Sequence, residues 1–178
     1  MIKNVTVFGG SRPDERGYAQ ALQLGRLLGE AGFAVLTGGY IGTMEAVSRG
    51  AAEAGGHVIG ITCDEIEAWR PIHPNRWIME ERRCPTLHQR ISMLIEGGDA
   101  AIALPGGPGT LTEIMEMWNL LLIGAISPRP LILIDEGWRA TIEQFYRAFD
   151  VYIPKEQRQW VTFAETVNHA LEILKQLT

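Results

Sequence analysis

Short, almost wholly apolar runs alternate with amphipathic stretches from one end of the chain to the other. Val5–Phe8, Ala34–Leu36, Val58–Ile61, Ala101–Leu104 and Leu131–Ile134 are nearly free of polar residues, the pattern of strands covered on both faces. Trp77–Met79 and Val161-Thr162 add two further short candidates. Apolar positions recur at helical spacing over Tyr18–Ala31, Thr43–Ala54, Thr86–Glu96, Thr110–Ile123, Trp138–Phe149 and Ala164–Leu177. Gly32, Gly55 and Gly97 fall where such helices stop. Strand and helix in strict alternation predict an α/β, Rossmann-like doubly wound architecture. Its mainly parallel sheet has about six or seven strands, with helices on both faces. No linker or break in composition divides residues 1–178, so one nucleotide-binding-type domain is expected. Asp64–Asn75, with Pro71 and Pro74, is the longest irregular stretch and is placed to lie over a site as a mobile cover.

Three of the expected strand-to-helix junctions are marked by glycine: Gly9-Gly10-Ser11, Gly38-Gly39-Tyr40-Ile41-Gly42-Thr43 and Pro105-Gly106-Gly107-Pro108-Gly109-Thr110. In a parallel sheet all three lie at the carboxyl edge, where open α/β sheets bind ligands. A glycine turn feeding a helix brings unpaired amides and the positive end of the helix dipole to one spot, which suits an anion such as phosphate. Candidate phosphate-binding residues are therefore Gly10, Ser11, Gly38, Gly39, Gly42, Thr43, Gly106, Gly107, Gly109 and Thr110. The competing explanation is three compact turns with no ligand.

Charge and residue usage narrow the classes. The net charge of −5 lacks the clustered basic excess of a nucleic-acid binder. No apolar run approaches the ~20 residues of a membrane span, and a cytoplasmic location is expected. Of 16 basic residues only Lys3, Lys155 and Lys175 are lysines, all outside the glycine junctions. That removes a Walker-type phosphate loop and a pyridoxal Schiff base. The first junction lacks the dinucleotide fingerprint, which disfavours NAD. Cys63 and Cys84 read as buried thiols. His57, His73, His88 and His169 show no ligand spacing, so neither a metal nor a cofactor is expected.

Two residues stand out as chemistry. Glu113 follows the third glycine run, beside the place where an anion would sit. Its rival role is structural, because Thr110-x-x-Glu113 spells a helix capping box. Arg90 falls on the shoulder of an apolar stripe formed by Leu87, Ile91, Leu94 and Ile95, where a guanidinium needs an anionic partner. That partner is a structural carboxylate, a ligand phosphate or a catalytic carboxylate. Arg82 and Arg83 could thicken a positive rim or form a solvated cluster. Trp118 lies in a helix apolar nearly all round, either central or buried in a subunit contact, and a homodimer through it is favoured.

The pattern Pro105-Gly-Gly-Pro-Gly-Thr-Leu-Thr-Glu113, with Arg90 fifteen residues before its proline, resembles the LONELY GUY (LOG) family. Older descriptions label such proteins "lysine decarboxylase". Gly39–Gly56 is similar to the family's second glycine-rich junction, Gly9-Gly10-Ser11 to its first, and the resemblance covers Val5 to Ile134. It implies a Rossmann-like homodimer that hydrolyses the N-glycosidic bond of a nucleoside 5′-monophosphate, of the AMP or N6-substituted AMP (cytokinin) type. The products are a free base and ribose 5-phosphate. The family's essential arginine and glutamate fall on Arg90 and Glu113, with Arg90 holding the carboxylate ionised. Its phosphate loop falls on Gly106, Gly107, Gly109 and Thr110. The chain departs from the family in two places: Arg90-Ile91 where Arg-Lys is common, and Pro108 where a bulky residue or tyrosine stands. Molybdenum-cofactor carriers resemble the same fold and bind a phosphorylated pterin without hydrolysing it. A binding protein is thus the alternative to an enzyme.

Overall fold

The computed structural model describes residues 2–177. Its strands are β1 (Asn4–Phe8), β2 (Ala34–Thr37), β3 (Val58–Cys63), β4 (Glu80–Cys84), β5 (Ala100–Ala103), β6 (Leu131–Ile134) and β7 (Val161–Ala164). They form one parallel sheet in the order β4-β3-β2-β1-β5-β6-β7. The chain winds outward from β1 in one direction through β4, then returns to the other side of β1 with β5. Val5–Phe8 pair with Ala100–Ala103 at this reversal. The crevice outside the carboxyl ends of β1 and β5 is the switch point where such sheets take ligands.

The helices are α1 (Glu15–Glu30), α2 (Thr43–Glu53), α3 (Asp64–Trp69), α4 (Leu87–Gly97), α5 (Pro108–Leu122), α6 (Glu136–Ala148), α7 (Lys155–Arg158) and α8 (Val167–Gln176). Each strand sends alternate residues to opposite layers. Val5, Val7, Val35, Ile102, Ile132 and Ile134 pack under α1, α2 and α8. Phe8, Leu36, Ile59, Ile61, Ala101, Leu131 and Leu133 pack under α4, α5 and α6. Cys63 and Cys84 are buried free thiols at one register position of β3 and β4. Among the described residues no helix is long and apolar enough to cross a membrane.

Several boundaries differ from the sequence pattern, each for an identifiable reason. α1 starts at Glu15, three residues before its apolar stripe, because the Asp14 carboxylate accepts from the Gly17 amide and caps it. Trp77–Met79 is not a strand. The strand there is β4, whose Glu80-Glu81-Arg82-Arg83 run hides the usual apolar signal. Charged edge strands are a common device against edge-to-edge pairing. Ala164 closes β7 rather than opening the last helix, which Thr166 caps. Trp118 is filled in by its own chain, with Phe145 and Tyr146 edge-on to it and its Nε1 donating to the Gln157 carbonyl.

Candidate active site

α5 sets one wall of the site. Gly107 is its N-cap and Pro108 its first residue, a favoured place for proline because the missing N–H would be unpaired there anyway. The first helical hydrogen bond runs from the Leu111 amide to the Gly107 carbonyl. The amides of Gly109 and Thr110 precede it, and among the described residues no hydrogen bond occupies them. Thr110 is therefore the third residue inside the helix, not its cap, and the capping box expected of Thr110 and Glu113 does not form. Glu113 instead lies farther along α5, buried and facing across the sheet edge.

Arg90 reaches toward it from α4. Its Nε donates to the Ile61 carbonyl at 2.8 Å and its Nη2 to the Gly38 carbonyl at 2.9 Å. The Tyr40 ring lies beneath the guanidinium, 5.7 Å from centroid to Cζ. Nη1 is left to face Glu113 Oε1 at 3.8 Å. Arg90 is 5% exposed and Glu113 8%. Gly38 makes this possible, since a Cβ there would stand 1.8 Å from Arg90 Nη2.

Burial dominates the acidity of Glu113. Desolvation lifts its pKa from the ordinary 4.5 to about 7, against the lowering influence of Arg90 and with a small further push from Glu116. The expectation that Arg90 keeps this carboxyl fully ionised is corrected: the loss of water outweighs a cation held beyond hydrogen-bond distance.

The two side chains share a cavity of about 460 Å³, a size suited to a nucleotide-sized ligand. Gly10 and Ser11 from the β1 loop, and Gly107, Pro108, Gly109 and Thr110 at the start of α5, line it. Ile66 and Trp69 of α3, with Arg70, Ile72 and Leu87, line it as well. Leu87, expected in the buried stripe, is 44% exposed at this wall, while Ile91 is an apolar surface where the family resemblance predicts a lysine. Gly38, Gly39, Gly42, Thr43 and Gly106 do not line this cavity. Thr43 spends its hydroxyl on the Gly10 carbonyl. Gly42, at φ +74°, lets the start of α2 press against Ser11, where a Cβ would meet backbone at 2.5 Å. Thr43 and Gly106 line an adjoining cavity of about 450 Å³ with Gly10, Ser11, Arg12 and Gly107.

The stretch expected as an irregular cover does lie over the cavity, but its first half is α3 and is anchored. Arg83 pairs with Asp64 at 2.6 Å and Glu67 at 2.8 Å. Glu67 also accepts from the Tyr40 hydroxyl, and Glu65 accepts from the Leu87 amide at 2.7 Å. Arg83 is thus a brace for the roof rather than part of a positive rim, and Arg82 pairs with Glu80. Tyr40 escaped the sequence reading. Burial pushes its hydroxyl up to about 12, so it stays a protonated donor joining Arg90 to the roof. An aromatic residue inside a glycine run was the available signal.

Residues 44–174 match the family model described as "Possible lysine decarboxylase". The cytokinin riboside 5′-monophosphate phosphoribohydrolase of Rhodococcoides fascians is 32% identical over 155 residues, 85% of this chain and 74% of that protein. The chain belongs to the LOG family. A probable member of the family from Oryza sativa subsp. japonica, LOGL5, is 39% identical over 127 residues, 68% of this chain. The match spans about half of that relative's length, 51%. Among solved structures, TM1055 is 31% identical with a TM-score of 0.78, covering 98% of this chain and 99% of that one. The molybdenum cofactor binding protein of Rippkaea orientalis has a TM-score of 0.79 at 24% identity, covering 99% and 98%. At that identity it shows a shared fold.

Proposed function

We propose that this chain hydrolyses the N-glycosidic bond of a nucleoside 5′-monophosphate, of the AMP type, releasing the base and ribose 5-phosphate. The carrying observation is the buried Arg90–Glu113 pair opening onto the same cavity as the unoccupied amides of Gly109 and Thr110. The names of the R. fascians and rice relatives point the same way.

In this proposal the start of α5, with Ser11, holds the 5′-phosphate, the group the helix N-terminus favours. Binding energy from that remote group orients the ribose over Glu113. Cleavage develops oxocarbenium character at C1′. The Glu113 carboxylate offsets that charge and takes a proton from the water that attacks C1′. Arg90, tied to two carbonyls, fixes where the carboxylate stands. Burial raises the carboxyl's pKa to about 7, toward the working pH of a general base.

Incubating the purified protein with a panel of nucleoside monophosphates and separating the products tests this. Free base with equimolar ribose 5-phosphate supports hydrolysis. Nucleotide bound at high occupancy and recovered intact supports a carrier instead. The homodimer belongs to the same proposal, supported by Ile123, 69% exposed just beyond α5. Sedimentation measures it.

A further inference from the structure

The two carbonyls that fix Arg90 differ in stiffness. Ile61, which accepts from Nε, lies within β3 and is paired with Arg82 of β4. Gly38, which accepts from Nη2, lies in the turn beyond the end of β2. The Tyr40 ring beneath the guanidinium belongs to the same turn. Gly38 and Gly39 in succession place no side chain in the way of rotating the peptide between them. Within the turn, the Gly39 amide reaches Thr37 Oγ1 at 3.2 Å, a long bond. A firm Gly38 carbonyl therefore needs support from outside the turn.

Asn75, the last residue of the stretch that covers the cavity, supplies it. Its Nδ2 donates to the Gly39 carbonyl at 3.1 Å and the Tyr40 carbonyl at 3.0 Å. Its own amide donates to the Gly39 carbonyl at 2.9 Å. The Trp77 amide donates to Asn75 Oδ1 at 3.1 Å, which sets the carboxamide's orientation, since only the NH2 end can serve two carbonyls. Trp77 is itself held by its Nε1 bond to Glu45 of α2 at 2.9 Å. Asn75 thus grips the turn from a fixed base, and it does not line the cavity.

Arg90 Nη1 stops 3.8 Å short of Glu113 while Nη2 is committed to Gly38. If the Gly38 carbonyl turned away, Ile61 would still hold Nε, and the guanidinium could swing about that bond. It would swing toward Glu113, the carboxylate already paired with it at long range. In surroundings this poor in water the attraction is strong, and a direct ion pair would occupy the carboxylate oxygens. We propose that Asn75 is a positioning residue that keeps the Arg90–Glu113 pair open, by holding the turn whose Gly38 carbonyl restrains the guanidinium. It touches neither reacting group. Its effect on catalysis rests on the reading of Glu113 as the base, but its effect on the geometry of the pair does not.

The test is the Glu113 titration, read by NMR of isotopically labelled glutamate carboxyls, with its signal identified by its absence in Glu113→Gln. Arg90 and Glu116 are the charged groups that act on this carboxyl. In Asn75→Ala the titration should move to lower pH, because the cation closes on the carboxylate. In an Arg90→Met background the same substitution should leave the titration in place. Asn75→Ser, whose hydroxyl can still donate to one carbonyl, should give a smaller move in the same direction, and it carries the test if the alanine protein does not fold. With AMP, kcat at neutral pH should fall by up to roughly 10²-fold, while KM holds. A titration that stays put or rises in the folded variants, or that falls equally without Arg90, overturns the proposal. If no nucleotide is hydrolysed yet the titration falls as described, hydrolysis fails and the role of Asn75 stands. Base release with an unmoved titration leaves hydrolysis and removes Asn75 from it.

Discussion

Arg90 Nη1 and Glu113 Oε1 stand 3.8 Å apart, too far for a direct hydrogen bond. The guanidinium cannot close that gap, because its other nitrogens are fixed to the Ile61 and Gly38 carbonyls. Glu113 thus sits beside a cation without being consumed by it, with its oxygens free for a ligand and its pKa raised by burial to about 7.

The pH–rate profile should show this directly. If Glu113 acts as the base in the free protein, kcat/KM for AMP rises with pH through about 7 and levels above it. A rise centred near the ordinary 4.5 would contradict the raised pKa and the burial that causes it.

The same raised pKa makes a stability prediction. A carboxyl that is less acidic folded than unfolded binds more protons in the folded state between 4.5 and about 7. Its stabilising contribution is complete below 4.5 and lost as pH climbs through 7. Glu113→Gln stays neutral throughout. Between pH 5 and pH 8, wild type should therefore lose about 2 kcal/mol relative to the variant in denaturant titrations. A difference that does not change with pH contradicts the burial argument.

Replacing Arg90 removes the influence that holds the Glu113 pKa down. Arg90→Met removes the charge, so the ascending limb of the pH profile should move to higher pH, with activity reduced. Arg90→Lys keeps a charge but cannot span both carbonyls, and should move it less. Arg90→Met also strands two buried carbonyls and should cost about 2–4 kcal/mol of stability. An unmoved pH profile in the methionine variant would detach Arg90 from the carboxyl's chemistry.

The glycines separate into two kinds. A Cβ on Gly107 or Gly109 meets nothing within 4 Å, so alanine at either position should leave the fold intact while raising KM for AMP. Gly38→Ala drives a methyl into Arg90 and should destabilise by about 1–3 kcal/mol, as overpacking does. Melting temperatures and KM values measured together distinguish the two.

The layered α/β fold was legible because doubly covered strands must be apolar, so Val5–Phe8 and Leu131–Ile134 announce themselves. β4 was not, since an edge strand with Glu80 to Arg83 exchanges hydrophobic signal for ion pairs. At the site, Arg90 and Glu113 were visible as a cation on an apolar shoulder and a carboxylate after a glycine run, and the structure brings them together. Their electrostatic balance was hidden, because spacing says nothing of desolvation. Gly38 was read as a phosphate contact, yet its bareness serves the guanidinium. Tyr40 and the α3 roof depend on contacts between segments far apart in the chain, which periodicity cannot show.

Adenine release from AMP, compared between wild type and a folded Glu113→Gln protein that still binds AMP, tests the hydrolase proposal most directly. A positioned acid–base group contributes about 10²–10⁴-fold, so the variant should retain AMP binding and lose rate by that factor. Equal release by the two proteins would contradict the proposal.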